Sequence, residues 1–132
     1  MSFVIDASVM VEILQRTPTG VAVERRVADH RMAVPDIFDS EVASVVRRRW
    51  RNGRIDEGDA AAALDALLDW PADRIPSRLL VKGTRRWWPN VSTYDALYLA
   101  VASARSSRVL TCDGPLSRAP ALGVPVENVR VT

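Results

Sequence analysis

The run Ser2-Phe3-Val4-Ile5-Asp6-Ala7-Ser8 decides how the rest of the chain is read. Ser2 to Asp6 is a short apolar segment suited to a buried strand, and the carboxylate of Asp6 stands where that strand ends. Ala7 to Leu14 follows at once as a short helix, with Ser8 near its start. A buried strand that passes directly into a helix opens an α/β chain. Further along, Thr17-Pro18 combines a good N-cap with a good first helical residue and opens a second helix. Met32 to Val34 is a brief strand that stops at Pro35. Asp36 then caps a long helix running to about Asn52 and ending at Gly53, and Asp56 caps the next. Arg74-Ile75-Pro76 reads as a short strand and Arg78 to Trp88 as a helix closed by Pro89. Ser92 or Thr93 starts a very apolar helix to about Arg105, Arg108 to Thr111 is a strand that delivers Asp113 into a loop, and Pro125 to Val131 is a last strand. Strands and helices in alternation predict an α/β fold with a mainly parallel central sheet and helices on both faces.

The chain has 132 residues, of which 48% are hydrophobic, enough for one α/β core and too few for two ordinary domains. The expected unit is therefore a single domain over residues 1–132. No apolar stretch approaches the roughly 20 residues of a membrane span, and no basic lead or cleavage signal precedes Phe3-Val4-Ile5. The expectation is a cytoplasmic protein with no membrane association. One cysteine, Cys112, excludes an internal disulfide and a multi-cysteine zinc site, and reads as a buried, inert thiol at a strand end. The lone His30, in the polar stretch Ala28-Asp29-His30-Arg31, reads as exposed. The net charge is +2 and the pI about 9.2, with Lys82 the single lysine among the basic residues. Arginine is the better phosphate fork, but a GC-rich genome produces the same bias, so composition leaves a nucleic-acid partner open.

The carboxylates are more informative. Glu12, Glu24, Asp59 and Asp65 lie among polar helical neighbours and read as solvent-facing, while Asp36 and Asp56 read as caps. Asp6 and Asp113 each sit at or just past the carboxyl end of an apolar strand, the edge where open α/β sheets build ligand sites. Glu41 is four residues from Ile37 and Val45 and three from Phe38, so it points with the apolar stripe while Asp39 points away. Asp95 lies in Thr93-Tyr94-Asp95-Ala96-Leu97-Tyr98-Leu99-Ala100, which has no polar face to keep it in water. Buried carboxylates need a cation, a hydrogen-bond network or a raised pKa. A hard divalent ion with oxygen ligands, magnesium or manganese, answers all four together. Singly, each acid has a structural alternative: Asp6 as a helix cap, Glu41 paired with Arg48, Asp113 as a turn residue before Gly114-Pro115.

Val4-Ile5-Asp6-Ala7-Ser8, Ser40-Glu41-Val42-Ala43, Tyr94-Asp95-Ala96-Leu97-Tyr98-Leu99-Ala100 and Leu110-Thr111-Cys112-Asp113 together resemble the motifs of PIN-domain proteins, in length and order those of VapC-type toxins. The resemblance implies a PIN-like α/β domain and a magnesium- or manganese-dependent endoribonuclease acting as a toxin that inhibits translation. It implies Asp6, Glu41, Asp95 and Asp113 as metal-binding, catalytic acids and Ser8 and Thr111 as supporting hydroxyls. It also implies a cognate VapB-type antitoxin, an RNA substrate and a homodimer. The chain departs from some relatives in having Gly114, Pro115 and Leu116 where a further acid follows the last motif, which leaves the number of metal ions open. Arg47 and Arg48, in Arg47-Arg48-Arg49-Trp50-Arg51, and Arg85 and Arg86, beside Trp87 and Trp88, are candidate RNA contacts. The alternative for the tryptophans is core or dimer interface. A phosphoacceptor receiver domain also gathers acids at strand ends, but Lys82 is misplaced for it. A non-catalytic PIN-like scaffold that binds RNA or protein is the alternative for the whole chain.

Overall fold

In the computed structural model, which describes residues 2–131, strands and helices alternate as the apolar pattern requires. In chain order they are β1 (Ser2–Ile5), α1 (Ala7–Leu14), α2 (Pro18–Val27), β2 (Arg31–Pro35), α3 (Phe38–Arg51), α4 (Glu57–Leu68), β3 (Asp73–Ile75), α5 (Thr93–Arg105), β4 (Arg108–Thr111), α6 (Gly114–Arg118) and β5 (Val126–Asn128). The five strands form one sheet in the order β3-β2-β1-β4-β5, and every neighbouring pair is parallel. The expected single domain over 1–132 includes Met1 and Thr132, which lie outside the described residues.

Parallel neighbours force each connection to return across the sheet, so the helices that follow strands begin at the carboxyl edge. The chain moves one way from β1 through β2 to β3, then crosses back to the other side of β1 to form β4. With right-handed crossovers, α1 to α4 cover one face and α5 the other. The packing agrees: α1 lies against α2 and α3, and α3 against α4, whereas α5 lies on β1, β2 and β4. Strand order reverses between β1 and β4, the position at which open α/β sheets generally place their ligand sites.

The strands are apolar throughout because both faces are covered; Val4, Ile5, Val34, Val109 and Leu110 are fully buried. Phe38, Val42 and Val46 place the buried stripe of α3 at a spacing of four. Gly20 allows α2 to close on α1, since a Cβ there would lie 2.0 Å from the carbonyl oxygen of Glu12.

Three local expectations need correction. Asp36 does not cap α3: its carboxylate accepts from the amide and hydroxyl of Ser77 instead, and α3 begins after Ile37 without a side-chain cap. The stretch 78–88 is not an α-helix but two 3-10 segments, Ser77–Leu79 and Val81–Trp87, which leave Leu79 and Val81 exposed. Gly83 weakens helical propensity there, and the tighter 3-10 turn suits a short connector. Asp113 lies in the short loop after β4, as expected, and from there caps the short helix α6, whose first turn holds Pro115. Glu12 is buried, not solvent-facing, and is paired with Arg49 at 3.3 Å and Arg130 at 3.9 Å.

Candidate functional site

Asp6 and Asp113 end β1 and β4, the two strands that flank the switch point, and each is the N-cap of the helix that follows. The Asp6 carboxylate accepts from the Val9 amide at 3.2 Å and the Ser8 hydroxyl at 2.6 Å, and its other oxygen accepts from the Thr111 hydroxyl. Ser8 accepts in turn from the Cys112 amide at 3.0 Å, and Thr111 from the Asp113 amide at 2.9 Å. Ser8 and Thr111 are therefore the rivets that hold the two strand ends together. Capping and site-building are the same act for Asp6, because the cap geometry fixes its rotamer.

Glu41 lies in the first turn of α3, and its side chain accepts from the Tyr98 hydroxyl at 2.5 Å, not from Arg48. Asp95 lies in the first turn of α5, where Ser92 caps the helix by accepting from the Asp95 amide at 3.1 Å. All four acids thus occupy N-cap or first-turn positions, where the positive end of the helix dipole offsets part of their mutual repulsion. Asp39, two residues before Glu41, leaves in another direction and binds Arg74 through two hydrogen bonds of 2.9 and 3.1 Å.

The electrostatics show that the four acids share one region. Burial raises the Asp6 pKa, opposed by its three hydrogen bonds, and Asp113 raises it further. Burial also raises that of Glu41, against the Tyr98 hydrogen bond and with a contribution from Asp6. The Asp95 carboxyl is pushed up to about 6, by burial first and then by Asp113, Asp6 and Glu41. Among the described residues no arginine, lysine or histidine forms an ion pair with any of the four.

An oxygen-only donor set of high negative charge suits a hard divalent cation. Among the described residues, however, no three acidic, histidine or cysteine side chains stand close enough to close on one ion. The carboxylates converge on a region, not on a point. Magnesium commonly takes one or two carboxylates and keeps several waters, so an open set of this kind fits it better than a preformed cage would.

Arg47, Arg48, Arg85 and Arg86 are all exposed. Arg86 stacks its guanidinium 4.4 Å above the ring of Trp87, which is buried and donates to the Leu122 carbonyl at 2.7 Å. Trp88 is half exposed and donates to Thr84 at 3.1 Å. Cys112 is buried as expected, and His30 is exposed but packs edge-on to Phe3. Sequence reasoning missed Tyr98. The signal was available: a phenol three residues after Asp95 on an otherwise apolar helix needs a buried partner for its hydroxyl. No helix of the described residues is long and apolar enough to cross a membrane.

The sequence model for the PIN domain matches residues 3–122. Ribonuclease VapC1 of Mycobacterium tuberculosis is 36% identical over 129 residues, which cover 96% of this chain and 97% of that protein. Ribonuclease VapC3 of the same organism is 36% identical over 117 residues, 88% of this chain and 85% of its own. Among solved structures, VapBC2 from Rickettsia felis bound to a promoter DNA fragment superposes with a TM-score of 0.68 at 15% identity, over 97% of this chain and 98% of that one. FitAcB from Neisseria gonorrhoeae does so at 0.62 and 19% identity, over 96% and 97%. These two likenesses concern the fold.

Proposed function

The chain belongs to the PIN-domain family, and from that premise we propose that it is a divalent-cation-dependent endoribonuclease, the toxin of a toxin-antitoxin pair, which inhibits translation until its antitoxin neutralises it. One observation carries the reading: Asp6, Glu41, Asp95 and Asp113 share the region at the switch point of the sheet, and among the described residues no cationic side chain pairs with any of them. The 36% identity to proteins named ribonucleases over most of the chain supports it.

In this reading the four acids hold magnesium or manganese, and the cation would supply Lewis acidity toward the scissile phosphate and a readily deprotonated water. The chain's own residues do the positioning. Ser8, Thr111 and the Val9 amide fix the Asp6 carboxylate, and Tyr98 fixes that of Glu41. Asp95, pushed up to about 6, is mostly ionised at neutral pH and ready to serve a cation, and below that pH a proton competes with the cation for it. Arg47, Arg48, Arg85 and Arg86 contact the RNA backbone. The partners are a VapB-type antitoxin and a second copy of the chain, the domain is the whole of 1–132, and the site of action is the cytoplasm.

The decisive experiment is incubation of total RNA with purified, antitoxin-free protein in magnesium or manganese, beside EDTA and Asp95→Asn controls. Discrete cuts that vanish in both controls are expected. Cleavage that survives in Asp95→Asn, or none by folded, metal-loaded protein, would leave a scaffold that binds RNA or protein.

A further inference from the structure

Tyr94 precedes Asp95 in the first turn of α5 and is 64% exposed, although its neighbours three and four residues on, Leu97 and Tyr98, are buried. Among the described residues its hydroxyl makes no hydrogen bond, whereas that of Tyr98 is committed to Glu41. Residues four apart in a helix share a face, separated by about one turn of 5.4 Å, so Tyr94 stands directly beyond Tyr98 toward the helix N-terminus. Asp95 lies three residues before Tyr98 and shares that face too. Tyr94 therefore stands at the N-terminal end of α5, exposed and next in the chain to Asp95, one of the four acids.

The near neighbours of Tyr94 in the chain, Asn90, Ser92 and Thr93, are exposed and polar, whereas a surface that pairs two proteins has a larger apolar centre. In the ribonuclease reading a cation on the acids would take the phosphate, which leaves the uncharged base as the part of a nucleotide to rest on an aromatic face beside them. A base already stacked inside a duplex has no free face to offer.

We propose that Tyr94 is the platform on which an unpaired base of the RNA stacks beside the scissile bond, making it a determinant of substrate choice. The assignment rests on the ribonuclease reading above. Its contribution is uniform binding, present before and during cleavage, so it enters KM more than kcat.

The test uses single-stranded RNA oligonucleotides spanning a site that the wild type cuts, with an abasic nucleotide placed at each position in turn. Wild-type protein should lose about tenfold in KM at one position next to the cut, a loss typical of one base-aromatic stack. Tyr94→Ala should show that loss, about tenfold, on intact RNA and become indifferent to that abasic position; Tyr94→Phe should behave as wild type. A Tyr94→Ala variant with unchanged KM, or one that retains sensitivity at every abasic position, overturns the assignment. So does a change in oligomeric mass with abasic sensitivity intact, which would give the ring to a second copy of the chain. If the wild type cuts nothing, anisotropy binding of the same oligonucleotides in magnesium decides separately. Binding with the abasic and Tyr94 effects coupled keeps the platform and rejects only the nuclease reading; binding indifferent to Tyr94 rejects the platform.

Discussion

Tyr98 on α5 donates a 2.5 Å hydrogen bond to the Glu41 carboxylate on α3, joining two residues 57 positions apart and locking one acid of the site in place. The bond opposes the upward pull of burial on the Glu41 pKa, so each partner stabilises the other's form: the phenol stays protonated and the carboxylate ionised.

Tyr98→Phe should therefore cost about 1–2 kcal/mol, since it leaves a half-buried carboxylate without its donor while keeping the ring's packing. The melting temperature should fall by roughly 4 °C per kcal/mol for a domain of this size. The loss should shrink below the Glu41 pKa, where the protonated carboxyl no longer needs the donor. Thermal melts of the two proteins at pH 7 and pH 4 check this; equal losses at both would mean the bond contributes nothing as a carboxylate contact.

Asp95 titrates at about 6 in the fold against an ordinary value of 3.8. Between those two values the folded protein binds more protons than the unfolded chain, so metal-free protein loses stability as the pH rises from about 4 through about 6 and stays at the lower level at neutral pH. Asp95→Asn removes that penalty. It should stabilise metal-free protein at pH 7 by about 1 kcal/mol, discounted for the group's partial exposure, and by nothing at pH 4. Chemical denaturation in EDTA at the two pH values measures the difference, and a gain independent of pH would assign it to something other than charge.

Magnesium should act oppositely to the proton. At ten times its dissociation constant it should add about 1.4 kcal/mol to wild-type stability at pH 7. Its affinity should drop toward pH 5 as Asp95 takes up its proton. Thermal melts across a magnesium series should show the rise in wild type and its loss in an Asp6→Asn, Asp95→Asn double variant. A rise that persists in the double variant would place the ion elsewhere.

Away from the acids, Glu12 on α1 is buried and relies on Arg49 from α3, with Arg130 further off. Arg49→Ala should destabilise the protein by about 2 kcal/mol because it strands a buried carboxylate. Adding Glu12→Gln to Arg49→Ala should recover part of the loss by removing the charge. Denaturation midpoints of the single and double variants give the coupling; simple additivity would show that the pair does not interact.

Much of this was legible in sequence, for identifiable reasons. Strand-ending acids follow from an apolar run that stops at a carboxylate, as at Ile5-Asp6 and near Leu110-Thr111, and caps such as Thr17, Asp56 and Ser92 act within three residues of themselves. Asp36 misled because an Asx residue before a helix can satisfy any nearby donor, and Ser77, far along the chain, competed successfully. Glu12 misled because helical periodicity gives a direction but not what lies there: α3 and the C-terminal segment cover that face and supply arginines to it. The segment 78–88 has neither a clean period nor a strong cap, and it takes a 3-10 form that packs against α5.

By itself the sequence determined the alternation of strand and helix, the parallel sheet and the identity of the acids, because hydrophobic period and capping are local properties of the chain. The tertiary structure alone decided that the acids share one region, through the strand order that sets β1 beside β4 and the hydrogen bonds of Thr111 to Asp6 and Tyr98 to Glu41. Those contacts join residues 105 and 57 positions apart. At such separations proximity depends on the order in which strands pair, and no local propensity encodes that order.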